Sequence, residues 1–193
     1  RSVGVKITGY HADSGTFRAN QWQESCHLQR QRLTYSSTHA HFENGVAEGN
    51  IRILQDLART MMAEAQIRWP QAISTILWPY AMRHAQHNVN HTPSPLLPKK
   101  ITPFEGYTSS RTRRRTIDAV PFGCPVYTTK DEICDGLPFN KWKLRATLGL
   151  YLGISPIHSR RSGLFLNLVT GLVSPRFHYK PDKTFSTVTP CSS

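Results

Sequence analysis

The hydrophobic period of this chain changes partway along, so any fold for it must combine long helices with short strands. From Gly45 to Arg68, the residues Val46, Ile53, Leu54, Leu57, Ala58, Met61 and Ala65 follow a 3.6-residue spacing, which predicts an amphipathic helix. Asn44 is placed to cap its start by accepting a free backbone N–H. Trp69-Pro70 ends it, because proline lacks a donor and clashes with the preceding turn. A second helix is predicted over about Pro70 to Asn90, with Ile73, Ile76, Leu77, Tyr80, Ala81 and Ala85 on its apolar face and a kink at Pro79. Upstream, Val3, Val5 and Ile7 alternate with Gly4, Lys6 and Thr8, a strand pattern that runs to Tyr10 and closes in the polar turn from His11 to Gly15. Ala19 to Gln31 reads as a helix with Trp22 and Cys26 on one face, Leu33 to Ser36 as a short strand, and Ser37 to Asn44 as a loop.

The pattern breaks after residue 91. Thr92 to Pro103 holds four prolines, and between Lys99 and Thr116 stand six basic residues and one acid. That composition predicts a basic linker containing a domain boundary. Beyond Val120 the chain turns to short strands: Val126-Tyr127, Ala146 to Leu152, Leu164 to Val169 and Leu172 to His178. Thr170-Gly171 suits a tight hairpin turn. Regularly spaced short strands suggest a small β-barrel. The expected organisation is therefore an α/β portion over residues 1–95, a Pro/Arg-rich linker over 96–119, a barrel over 120–183 and an irregular tail over 184–193.

Charge narrows the partners. Of the 193 residues, 24 are Lys or Arg and 12 are Asp or Glu, a formal charge of +12. Residues 1–100 hold 11 basic against 6 acidic residues, and residues 101–193 hold 13 against 6. A surplus spread over both parts points to nucleic acid. The chain has no apolar run of about eighteen residues, so a membrane-spanning helix is excluded. The four cysteines, Cys26, Cys124, Cys134 and Cys191, form no C-x-x-C pair, which fits reduced thiols in an intracellular protein, nuclear or cytoplasmic. The opening Arg1-Ser2-Val3-Gly4, with neither Met nor a signal segment, reads as an interior cut.

Two carboxylates stand out by context. Asp13 closes a predicted strand, and Glu48 lies near the start of the amphipathic helix, with 34 residues between them. A strand-end and a helix carboxylate can converge on a hard cation such as Mg²⁺. On spacing alone the alternative stays open that Glu48 only complements the positive helix N-terminus. Arg52 and Arg59 follow Glu48 by four and eleven residues and fall within about 40° and 20° of its azimuth. They can pair with phosphates or lie on a solvated face with a Glu48–Arg52 pair. His84, His87 and His91 share one helical face at a spacing that suits zinc, but no Cys or acid joins them nearby, which favours a plain polar face. His39 and His41 lie in a loop. Arg111, Arg113, Arg114 and Arg115 form a cluster suited to DNA backbone or to a nuclear import signal.

The residues around the carboxylates resemble a known family. Tyr10 to Phe17 (YHADSGTF) is similar to the "D-N-G-x-E-F" segment of retroelement integrases. His41 to Leu54 resembles their "Q-N-G-V-A-E-R-x-N-R-x-L" helix, with Asn44-Gly45-Val46-Ala47-Glu48 matching residue for residue. The remaining matches are to copia-type elements. Val120 to Tyr127 is similar to "V-F-G-C-x-A-Y", Lys143 to Gly153 to a "K-x-x-x-x-x-F-L-G-Y" strand, and Val173 to Phe177 to "S-R-D-V-x-F". The resemblance covers nearly the whole chain. It implies a truncated ribonuclease-H-like integrase core of mixed sheet and helices, then an SH3-like β-barrel.

It further implies that Asp13 and Glu48 are the second and third members of a D-D-E triad holding Mg²⁺ or Mn²⁺. Beside the resemblance, helix geometry and charge make Asn44, Arg52, Arg59, Lys99, Lys100, Arg111, Arg113, Arg114 and Arg115 the residues expected to contact nucleic acid. The intact parent would join element cDNA ends to target DNA, working as a homo-oligomer and without a membrane. The sequence departs from the family pattern in three places. One residue is missing near Gly15-Thr16-Phe17, Ser14 replaces Asn, and Gly49 replaces a basic residue. The triad's first aspartate belongs upstream of Arg1, so this chain alone is expected to lack catalysis. The alternative is a noncatalytic DNA-binding remnant or domesticated module.

Overall fold

The structure is a computed structural model that describes residues 6–12, 16–37, 41–95, 97–109, 119–134, 136–138, 140–158 and 161–188. Two strands and a helix come first. Strand β1 (Gly9–Ala12) and strand β2 (Arg32–Tyr35) flank helix α1 (Asn20–Leu28) and pair in parallel, with Gly9 opposite Arg32 and Ala12 opposite Tyr35. A parallel pair needs a crossover, and α1 supplies it. Trp22 holds the crossover down: its ring meets Tyr10 and Phe17 edge-on at 5.2 and 5.9 Å, while Cys26 on the same helix face is buried.

Helix α2 (Gly45–Arg68) has the predicted bounds. Helix α3 (Trp78–His91) starts later than expected. Residues 70–72 form a turn, Thr75–Leu77 is a single 3-10 turn, and the Ser74 hydroxyl accepts from the Ile76 N–H. Pro79 therefore sits in the first turn of α3 rather than kinking a longer helix, at a position where its missing N–H has no intrahelical partner to lose.

The stretch expected to be linker carries structure of its own. Pro98–Lys100 is a 3-10 turn, and helix α4 (Pro103–Thr108) follows it. Thr102 and Glu105 cap α4 reciprocally, the Glu105 N–H donating to the Thr102 hydroxyl at 3.1 Å and the Thr102 N–H to Glu105 Oε2 at 2.9 Å. Phe104 then stacks on His91 at 4.8 Å, tying α4 to α3.

The second half is one antiparallel sheet. Strands β3 (Pro125–Thr129), β4 (Ala146–Ile154), β5 (Gly163–Asn167), β6 (Val173–Arg176) and β7 (Tyr179–Pro181) pair in the order β6-β5-β4-β3-β7, with the short helix α5 (Asp131–Cys134) between β3 and β4. The expected barrel is not closed: β6 and β7 are the two edges, and among the described residues they do not pair with each other. The β5–β6 hairpin forms, but around residues 168–171 rather than as a two-residue turn. The Asn167 N–H donates to Leu172 O at 2.9 Å, and Asn167 Oδ1 accepts from the N–H groups of Val169 and Thr170. Asn167 thus sets the turn through its own side chain.

A single buried cluster runs from α2 and α3 into this sheet. Ala58, Ala65, Trp69, Ile73, Leu77, Ala81 and Ala85 meet Phe122, Val126, Leu150, Tyr151, Leu152 and Phe165. Alanines on the facing sides of the two helices allow their close approach. Gly153, at φ +114°, passes beneath α3, where a Cβ would lie 3.2 Å from His84 Nδ1. Gly123 plays the same part under α2. The predicted apolar face of α2 is only partly used. Ala58 and Ala65 are buried, and Leu54 and Met61 pack against the core, but Val46, Ile53 and Leu57 are exposed. Within the described residues, α2 packs chiefly against α3, and that contact covers only one stripe of its surface.

Residues 182–188, which include the start of the tail expected to be irregular, are ordered around one carboxylate. Asp182 accepts from the Thr184 hydroxyl at 2.9 Å, from the Thr187 N–H and hydroxyl at 2.8 Å each, and from the Ser186 hydroxyl. Its own N–H donates to Pro125 O at 2.8 Å, anchoring the turn to β3. Burial pushes this carboxyl up, but the bonds from Thr187, Thr184 and Ser186 outweigh it and hold the group well below its ordinary 3.8. A folded-state value below the unfolded one adds stability above pH about 4 that is lost as the pH falls further. The expected result is that the melting temperature of Asp182→Asn falls less between pH 5 and about pH 2.5 than that of the unaltered chain. Equal acid sensitivity of the two proteins would remove this role. Cys124, fully buried nearby, has its thiol pushed up to about 12 by burial and then by the Asp182 charge, which makes it a packing residue rather than a nucleophile.

Candidate nucleic-acid interface

The order β1, α1, β2, α2 brings the start of α2 to follow a parallel βαβ unit. The loop after β2 is fastened to the turn before α2 by two bonds. The Ser37 N–H donates to Glu43 Oε2 at 2.8 Å, and Asn44 Nδ2 donates to Ser36 Oγ at 3.3 Å. Asn44 does occupy the N-cap position, but its side chain makes no cap bond. Its amide is turned to Ser36, so it fixes the approach of the loop instead of satisfying a helical N–H.

Glu48 lies in the first turn of α2 and is exposed, where its charge complements the helix dipole. Arg52 is exposed one turn later and Arg59 two further turns on. The helix is continuous from Gly45 to Arg68, so all three stay on one face. Glu48 and Arg52 do not pair. The ion pairs of α2 among the described residues are Arg59–Asp56 and Arg68–Glu64, each at 3.0 Å and both solvent-facing. An exposed pair at such spacing contributes about 0.3–0.5 kcal/mol, so a phosphate can draw Arg59 away from Asp56 at little cost.

The other predicted residues are more dispersed. Asp13 lies outside the described residues, as do Arg111, Arg113, Arg114, Arg115 and His39. Lys99 and Lys100 fall in the 3-10 turn before α4, with Lys100 exposed. The three histidines of α3 do not converge. His84 is buried against Phe122 and Tyr151 at 6.0 and 5.9 Å, whereas His87 and His91 stack at 4.1 Å and continue onto Phe104. No group of three or more potential metal ligands occurs among the described residues.

One exposed feature was not among the candidate site residues: the turn at Asn140 to Lys143, just ahead of the Lys143–Gly153 match, with Trp142 at its tip and 95% exposed. Its signal in the sequence is the alternation Lys141-Trp142-Lys143-Leu144-Arg145. Among the described residues no helix is long and apolar enough to cross a membrane.

No family model matches the chain, and no curated protein does. Among solved structures it is similar to a chain of the cryo-EM structure of the simian T-cell lymphotropic virus intasome in complex with PP2A regulatory subunit B56 gamma, at 17% identity and a TM-score of 0.42. The alignment covers 90% of this chain and 57% of that chain, so the present chain spans little more than half its length.

Proposed function

We propose that this chain is the distal part of a copia-type retroelement integrase, a remnant of a ribonuclease-H-like core followed by an SH3-like module, and that by itself it binds DNA without joining it. The observation that carries this reading is the position of Asn44-Gly45-Val46-Ala47-Glu48. The motif opens a long helix directly after a parallel βαβ unit, and its glutamate shares an exposed face with Arg52 and Arg59. The guanidinium groups supply bidentate donors for backbone phosphates. Exposed Lys100 adds a further cation, and Lys99, Arg111, Arg113, Arg114 and Arg115 add positive charge to the middle of the sequence.

In the intact parent, Asp13 and Glu48 would help to hold Mg²⁺ or Mn²⁺. Bound there, such metal would supply Lewis-acid chemistry for in-line phosphodiester attack, which in a two-ion site is divided between the attacking 3′-hydroxyl and the leaving oxygen. Glu48 offers a hard oxygen donor from the first turn of α2. For DNA binding without chemistry, Asn44 sets the loop and Arg52 and Arg59 hold the backbone. Element ends, target DNA and further copies of the parent would be its partners.

The test is duplex binding by the purified chain with and without Mg²⁺. Arg52→Ala together with Arg59→Ala is expected to weaken binding and to reduce the salt slope by about 2, one for each phosphate that no longer has its arginine. Glu48→Gln, which removes a negative charge from that face, is expected to leave affinity unchanged or raise it. A normal slope in the double variant would overturn this assignment of the face.

A further inference from the structure

The connection between β3 and β4 separates its charges along the sequence. After Lys130 its acids, Asp131, Glu132 and Asp135, all precede Gly136, and its remaining bases, Lys141, Lys143 and Arg145, follow Asn140. The basic end is a braced turn. The Lys143 N–H donates to Asn140 O at 3.1 Å, and the Trp142 N–H donates to Asn140 Oδ1 at 2.9 Å, so backbone and side chain of one asparagine fix the same turn. Immediately beyond, the Lys130 N–H donates to Arg145 O at 3.1 Å, tying the turn to the sheet. At its tip Trp142 is 95% exposed, more than any other large apolar side chain among the described residues, and Leu144 beside it is 82% exposed. Lys141, Lys143 and Arg145 are exposed as well.

An indole this exposed contributes nothing to the core. The arrangement has the parts of a stacking platform for a nucleobase: a flat aromatic face, cations on both sides for the flanking phosphates, and a backbone already ordered before binding. We infer that Trp142 stacks on an unpaired nucleotide, with Lys141, Lys143 and Arg145 holding the adjoining phosphates. Stacking needs a base freed from its duplex, so the ligand class is single-stranded nucleic acid or a frayed duplex end. This deepens the DNA-binding proposal, which assigns the duplex contacts to α2, and it rests on that proposal only for the general class of partner.

The test compares a labelled single-stranded oligonucleotide with the same sequence as a blunt duplex, using the full chain. Trp142→Ala is expected to weaken single-strand binding about tenfold, Trp142→Phe to retain most of it, and neither to change duplex binding more than twofold. Neither variant should lower the melting temperature, since the side chain is almost wholly in solvent. Loss of single-strand and duplex binding to the same degree in Trp142→Ala, or no loss of either, would overturn the inference while leaving the α2 proposal standing. Absence of all nucleic-acid binding by the unaltered chain would overturn both. Trp142-dependent binding to anionic vesicles in place of oligonucleotides would also reject it.

Discussion

Replacing Phe185 by alanine is expected to destabilise the chain by about 3–5 kcal/mol, the usual cost of deleting a buried phenyl ring. Phe185 is 3% exposed and belongs to the same core as Val120, Phe122 and Tyr151. It reaches that position from an unusual backbone, φ 60°, a conformation that costs a residue with a Cβ about 1–2 kcal/mol. Burial of the ring exceeds that strain, and the Asp182 turn holds the backbone in place, with the Phe185 N–H donating to Asp182 O at 3.2 Å. The Arg68 guanidinium lies 5.3 Å from the ring centroid and closes the site from α2. Alanine would keep the backbone strain and lose the burial. Urea denaturation of the two proteins measures the difference, and a loss below about 1 kcal/mol would mean that the segment after β7 does not belong to the core.

Gly123→Ala is the second large effect expected. Gly123 has φ +73°, and an added Cβ would lie 2.7 Å from the Ala65 Cβ and 2.9 Å from Ile73 Cδ1. Real carbons do not approach so closely, and Ala65 is itself 1% exposed on a continuous helix. The left-handed backbone costs about 1–2 kcal/mol and the overpacking about 1–3 kcal/mol, giving about 2–5 kcal/mol in all. Combining Gly123→Ala with Ala65→Gly should recover part of the packing loss and none of the backbone cost. A melting temperature for Gly123→Ala equal to that of the unaltered chain would contradict the close approach of α2 to the segment before β3.

How far the sequence revealed these features follows from the range of the interaction behind each. Helix α2 was legible because a 3.6-residue period sustained over 24 residues is a strong local signal. Strands β3 to β6 were legible in outline from their alternation. The role of Pro79 was not, because a proline at a helix start and one inside a helix look alike until the preceding turn is seen. The α4 helix carried a readable mark, Thr102-Pro103-Phe104-Glu105, but its proline-rich surroundings pointed to a linker. Asp182 with Thr184, Ser186 and Thr187 looks like any polar tail, since only the contact with Pro125 O, far away in sequence, makes the turn worth ordering. The exposure of Val46, Ile53 and Leu57 was hidden for a related reason: periodicity shows which face is apolar, not whether another element covers it.

The candidate site divides in the same way. The Asn44-to-Glu48 motif and the arginine face could be read in advance, because helical geometry fixes azimuths from residue numbers alone. The Asn44–Ser36 bond could not, since it closes an irregular connection whose path no period dictates. The three α3 histidines share one helical face by spacing, yet His84 turns into the core while His87 and His91 stack on each other and onto Phe104 of α4. Neighbouring elements separated them, and no spacing rule contains that information.

The central claim is that this chain holds nucleic-acid backbone through an exposed, strongly basic surface. Its most direct measurement is the affinity of the unaltered chain for a duplex oligonucleotide over a series of salt concentrations. In Mg²⁺-free buffer a straight fall of log affinity against log salt is expected, steep enough to correspond to several phosphate contacts at about 0.9 per contact. Affinity that is flat with salt, or no binding even at low salt, would contradict it.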